Sequence, residues 1–134
     1  MNIRSFSTVC ALSLLVIFSA SCGEIVTARN HNEFNAHLQA APVVVAEFYS
    51  PTCSHCITFN KSGTFESLAK ENPDVRFVRV SYQDKEAAML FGSHRVNAFP
   101  TFLVFKNGQE VKELRQAGGL TKTSIQDKIN KAKK

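Results

Sequence analysis

The reactive side chains of this chain are concentrated in Cys53-Ser54-His55-Cys56. Two thiols three positions apart at a helix start lie one turn apart, so the second can reach the sulfur of the first. The run Val43 to Tyr49 (VVVAEFY) ends just before them and Ser50-Pro51-Thr52 breaks it, which places Cys53 in the first turn of a helix with Thr52 as its cap. Unpaired N–H groups and the positive end of the helix dipole favour an anion there, and the thiolate is the attacking species in disulfide exchange. Cys53 is therefore the expected nucleophile. Cys56 is the expected resolving thiol, attacking Cys53 in a mixed disulfide and releasing the substrate as a thiol. His55 lies in the same turn and would stabilise the Cys53 thiolate as a cation or donor; the alternative is a solvent-facing imidazole with no partner. Glu47 is the one acid in the apolar run. Burial would raise its pKa toward the working range, unless the strand lies at an edge where the carboxylate reaches water.

Other chemistries fit less well. Cys53, Cys56 and His55 are soft ligands that suit copper or zinc, but a closed zinc site needs four ligands and only two cysteines are certain to remain in a mature domain, so no metal and no cofactor is expected. The chain has no G-x-G-x-x-G, P-loop or H-E-x-x-H. A Cys-His protease would need a histidine from elsewhere, and His94, beside Arg95, reads as a loop residue.

The elements that must hold these residues follow from periodicity. Asn32 to Ala40 spaces Phe34, His37 and Leu38 as a short amphipathic helix closed off by Pro42, with His37 half-buried on its face. Val43 to Tyr49 is a strand covered on both faces. One helix is expected from about Cys53 to Glu71, then a strand from Val75 to Val80 and a helix from Lys85 to Phe91 that stops near Gly92. Pro100 to Lys106 is a further strand, which Asn107-Gly108 turns back into Gln109 to Gln116 as an antiparallel partner. Thr121 to Lys131 closes the chain as a helix with Ile125 and Ile129 on one face. This order describes an α/β sandwich, a mixed sheet covered on both faces.

Val45 to Cys56 (VAEFYSPTCSHC) is similar to the active-site strand and turn of the thioredoxin superfamily, nearest to protein disulfide isomerase domains, which read E-F-Y-A-P-W-C-G-H-C. Ala98-Phe99-Pro100-Thr101, followed by Phe102 to Gly108, resembles the same family's cis-proline loop, strand and hairpin. The resemblance implies a thioredoxin-like three-layer sandwich, with helices on both faces of a mixed central sheet. It implies a protein thiol–disulfide oxidoreductase working on protein thiols or disulfides with a redox partner that recycles the cysteine pair, its direction, oxidase/isomerase or reductase, left open. Pro100 would be the cis-proline facing Cys53, the Phe99 backbone would pair with substrate peptide, and Glu47 would shuttle a proton to or from Cys56. Four departures stand out: Thr52 replaces the usual Trp in a chain without Trp, Ser54 replaces Gly, no Pro follows in the helix, and Phe99 is bulkier than usual. The missing Trp is the best argument for the competing class, a non-catalytic binding module with an inert Cys53–Cys56 bridge.

Length and charge bound the rest. At 134 residues, 44% hydrophobic and 20% charged, the chain fits one packed domain and disfavours disorder. The net charge of +5 is local: without Arg4, Asp127 and the five lysines from Thr121 onward, ten basic residues face ten acidic ones. A neutral body argues against a nucleic-acid groove. The basic tail reads as a solvated helix face, with weak attraction to anionic lipid as the alternative.

At the other end, Arg4 precedes the apolar run Val9 to Ala20, which is too short to span a bilayer and fits a secretory signal over residues 1–22, with the thioredoxin-like domain at 24–134. Small residues at Ser19, Ala20 and Ser21 suit cleavage, and Val26-Thr27-Ala28 offers a second site. Ser19-Ala20-Ser21-Cys22-Gly23 resembles a lipoprotein box with Ser in place of the usual Leu, making Cys22 a candidate for lipidation and membrane anchoring. The expected location is extracytoplasmic, either periplasmic or secreted, with the lumen of the endoplasmic reticulum as the alternative. A monomer is expected.

Overall fold

The computed structural model describes residues 23–134. The expected signal segment, with Cys10 and the lipidation candidate Cys22, lies outside the described residues. The chain runs β1 (Ile25–Thr27), α1 (His31–Gln39), β2 (Val43–Tyr49), α2 (Ser54–Lys61), α3 (Thr64–Glu71), β3 (Val75–Ser81), α4 (Ala88–Ser93), β4 (Thr101–Lys106), β5 (Gln109–Glu110), a 3₁₀ turn (Lys112–Leu114), β6 (Gln116–Ala117) and α5 (Lys122–Ala132). The sheet order is β1-β3-β2-β4-β5, with β6 also on β4. β1, β3 and β2 are parallel, and β4 runs antiparallel to β2, β5 and β6.

β2 lies at the centre of the sheet, and its side chains alternate between two cores. On one face Val43 and Val45 pack with Phe59, Phe65, Leu68, Phe77, Phe102, Ile125 and Ile129 beneath α2, α3 and α5. On the other, Val44, Ala46 and Phe48 pack with Phe34, Leu38, Leu90 and Phe91 beneath α1 and α4. Each such fully buried Phe or Leu contributes about 2 kcal/mol of transfer free energy. Register then decides which polar residues are neighbours: Glu47 pairs with Arg79 of β3 on one side and Phe102 of β4 on the other.

Four elements differ from the sequence expectation. The helix after Cys53 is two helices, because Ser62-Gly63 interrupts it and Gly63 takes φ 68°, a conformation glycine adopts without steric cost. α4 begins only at Ala88 and runs through Gly92 to Ser93; the left-handed residue that follows is Arg95, at φ 53°. The strand expected over Gln109–Gln116 is two short pieces, since the 3₁₀ turn between them turns Leu114 into the core. Finally Ile25–Thr27, too short to show a period, pairs with Phe77 to Arg79 as an edge strand. Ala28, just beyond it, is buried, so cleavage after Ala28 would remove the whole strand.

The hairpin between β4 and β5 turns on Asn107 (φ 50°) and Gly108 (φ 78°), the backbone that Asn-Gly adopts most readily. A Cβ on Gly108 would lie 2.8 Å from the Gln39 side-chain nitrogen, the free end of a flexible side chain that can shift, so it is the positive φ that favours glycine there. α5 is fastened by a capping box between Thr121 and Ser124 and by ion pairs of Lys122 with Glu71 and Lys133 with Asp74. Among the described residues no helix is long and apolar enough to cross a membrane.

Candidate active site

β2 delivers the chain to the C-terminal end of the sheet, where Ser50 to Thr52 turn it into α2. The Cys53 N–H donates to Ser50 O at 3.1 Å, and Thr52 Oγ1 is 3.0 Å from Ser50 Oγ. Cys53 itself is the N-cap of α2, in extended conformation, rather than a first-turn residue capped by Thr52. The consequence for the sulfur is the same, because the N-cap side chain faces the free N–H groups. Cys53 is half-exposed and its pKa is lowered, chiefly by the Cys56 backbone N–H, with the Cys56 thiol and the His55 backbone N–H adding to it. Cys56 is fully buried and its pKa is pushed up to about 11, first by desolvation and further by the nearby charges of Cys53 and Glu47. Both are free thiols. One is poised to ionise in contact with solvent, and the other is kept protonated inside.

The Phe99–Pro100 peptide bond is cis, and Cys53 Sγ lies 3.7 Å from Phe99 O. Gly118 N–H donates to Pro100 O at 3.2 Å, tying the Gly118-Gly119 loop to the same place. Between this loop and α2 lies an open groove of about 430 Å³ walled by His55, Thr58, Phe59, Phe99, Pro100 and Leu120. The His55 imidazole is exposed on that wall. On the other side of Phe99, Tyr82 is half exposed with its ring centroid 5.3 Å from that of Phe99, providing an aromatic surface in a site whose position 52 is Thr.

Beneath the cysteines Glu47 is fully buried, which excludes the edge-strand alternative. Burial raises its pKa, against the pull of Arg79, whose Nε donates to Oε2 at 2.8 Å; Oε1 has no hydrogen-bond partner. Arg79 Nη1 also meets Glu66 Oε1 at 2.9 Å, and Nη2 donates to Asn60 Oδ1 at 3.2 Å. Sequence reasoning missed Arg79, Glu66 and Asn60. A buried acid demands a partner, but only the β2–β3 register identifies which of the two arginines in Val75–Ser81 supplies it.

His94 lies in the turn just after α4, as expected of a loop residue. It caps the C-terminus of α4 with its ring set against Phe34, Phe48 and Phe105 in the opposite core, and its nearest acid is Glu110, at 3.9 Å. It is therefore not brought to Cys53. Among the described residues no three His, Cys, Asp or Glu side chains are grouped so as to hold a metal ion.

A family model described as Thioredoxin matches residues 25–131. The chain belongs to the thioredoxin family. This thioredoxin domain is 30% identical over 105 residues to protein disulfide-isomerase of Hordeum vulgare, covering 72% of the chain and 20% of that protein. It is 26% identical over 117 residues to the probable protein disulfide-isomerase ER-60 of Schistosoma mansoni, covering 84% of the chain and 24% of the relative. The chain thus spans about a fifth of the length of these curated relatives. A mutant thioredoxin from Halobacterium salinarum superposes with a TM-score of 0.75 at 21% identity, covering 85% of the chain and 95% of that structure. The sandwich of β1-β3-β2-β4-β5 with its helices is therefore the thioredoxin fold, as the resemblance implied.

Proposed function

We propose that the domain is a thiol–disulfide oxidoreductase that exchanges disulfides with protein cysteines through Cys53 and Cys56. The observation that carries this reading is the asymmetry of the pair: an accessible sulfur with a lowered pKa beside a buried one pushed up to about 11. The Cys53 thiolate attacks a substrate disulfide, forming the Cys53–substrate bond and releasing one substrate thiolate. Cys56 then gives its proton to Glu47 and attacks Cys53, so that the Cys53–Cys56 bond forms and the second substrate thiol departs. The same steps in reverse deliver a disulfide to the substrate. Phe99 O, already beside Cys53 Sγ, is placed to pair with the substrate backbone, and His55 stands at the groove mouth, where a cationic imidazole would favour the thiolate.

Equilibration in graded glutathione buffers, followed by alkylation and mass measurement, tests the reading. A two-thiol mass step is expected, and its midpoint assigns direction: a potential well above about −270 mV marks a disulfide donor, and one near or below it a reductase. Absence of any step would overturn the catalytic reading in favour of a binding module.

We further propose that the domain works outside the cytosol, held at a membrane if Cys22 is lipidated. The support is the sequence pattern of residues 1–22. Fractionation with mass measurement of the mature N-terminus checks it, and an uncut chain in the cytosol would end it.

A further inference from the structure

Arg79 is not the partner of Glu47 alone. An arginine facing one carboxylate normally engages both of its oxygens, two N–H donors to two acceptors. Here only Nε meets Glu47, at Oε2. Nη1 is drawn to Glu66 Oε1 and Nη2 to Asn60 Oδ1, while the guanidinium carbon lies 5.2 Å from the Phe65 ring centroid. One cation is therefore divided between a fully buried carboxylate and one whose side chain is 43% exposed. Glu47 Oε1 is left buried and unpartnered.

Resting on the reading of Glu47 as proton acceptor, we infer that Glu66 is a positioning residue that sets how strong a base Glu47 is. By holding Arg79 from the far side, Glu66 keeps the guanidinium from closing on both oxygens of Glu47 and leaves Oε1 open for the Cys56 proton. Its negative charge also favours the protonated form of its neighbour. The resolving step is then complete in its atoms: the Cys56 proton passes to Glu47 Oε1 and the thiolate attacks Cys53. The Cys53–Cys56 bond forms as the Cys53–substrate bond breaks, its electron pair leaving on the substrate sulfur.

The groups facing Glu47 are Cys56 and Asn60 from α2, Glu66 from α3 and Arg79 from β3; its neighbour on β4 is the apolar Phe102. Glu66 reaches this cluster because the chain breaks at Gly63: the restart of the helix puts it in the first turn of α3, beside the Phe65 that supports Arg79.

The test follows the Glu47 carboxyl titration by NMR in the reduced domain. It also follows the lifetime of the mixed disulfide formed with glutathione disulfide, acid-quenched and weighed across pH. In Glu66→Gln the Glu47 midpoint is expected to fall by about one unit, and the mixed disulfide to persist about three-fold longer above it. Glu66→Ala moves both the same way, and Glu66→Asp, which keeps the charge, restores most of the midpoint. A folded Glu66→Gln or Glu66→Ala domain with an unmoved Glu47 midpoint overturns the inference. If instead Glu47→Gln leaves the mixed-disulfide lifetime unchanged at every pH, the reading of Glu47 as acceptor fails, whatever Glu66 does.

Discussion

Each face of the sheet holds a desolvated titratable group beside an arginine and a glutamate, one fully buried and the other half-buried, and the two clusters serve different ends. Under α2 and α3 the group is Glu47, with Arg79 and Glu66. Under α1 and α4 it is His94, among three Phe rings, with Glu110 3.9 Å from its Nδ1 and Arg115 donating to its carbonyl at 2.6 Å. Desolvation acts alike on both and favours the neutral form, raising the pKa of Glu47 and lowering that of His94. Only Glu47 has a thiol within reach of its field. At these two positions the shift records desolvation, and the neighbouring group decides whether it serves chemistry.

The largest expected effect is on the thiols. Cys53→Ser should abolish exchange in a disulfide-reduction assay, while Cys56→Ser should accumulate the mixed disulfide as a stable adduct visible by mass. Next come the two cores: Phe65→Ala and Phe34→Ala should each cost about 3–5 kcal/mol in chemical denaturation. Only Phe65→Ala should also shift the pH profile of exchange, because Phe65 supports Arg79. Equal shifts in both variants would erase the distinction between the faces.

Glu47→Gln should slow the resolving step by about 10²-fold in rapid-quench measurements. It should also flatten a trend in stability. With its folded pKa raised above the unfolded value of about 4.3, Glu47 makes the wild type lose stability as pH rises through that interval, and Gln removes the loss. His94 runs the opposite way. Its folded pKa lies below the unfolded value of about 6.5, so stability falls as pH drops below that point; His94→Gln should remove this acid-side loss in thermal melts and leave exchange rates unchanged. The smallest effect is at the helix break, where Gly63→Ala should cost about 1 kcal/mol for a left-handed residue.

Much of the site was legible because its parts are local. An apolar run, a breaker and two thiols define the β2–α2 turn, and Phe99-Pro100 marks the loop opposite. The acid Glu47 stood out because nothing else in its strand is charged. Its partners did not, since Arg79 lies 32 positions away and becomes a neighbour only through parallel pairing. Glu66 was hidden for a second reason: on an unbroken helix from Cys53 to Glu71 its facing would differ, and the small Ser62-Gly63 step resets the phase. β1 escaped notice because three residues show no period and their strand character comes from β3. The loop position of His94 was legible but its aromatic setting was not, because its sequence neighbours are polar and the rings around it come from α1, β2 and β4.

The chain contains no tryptophan and two tyrosines, and both stand at the site: Tyr49 ends β2, and its carbonyl accepts the Tyr82 N–H at 2.9 Å. Tyr82 in turn leans on Phe99, whose carbonyl faces Cys53. The domain therefore carries its own optical probe. Excited beyond the phenylalanine band, every photon of intrinsic fluorescence originates at these two rings beside the reactive turn, so docking and redox turnover can be watched in the unlabelled protein against any partner that is itself dark.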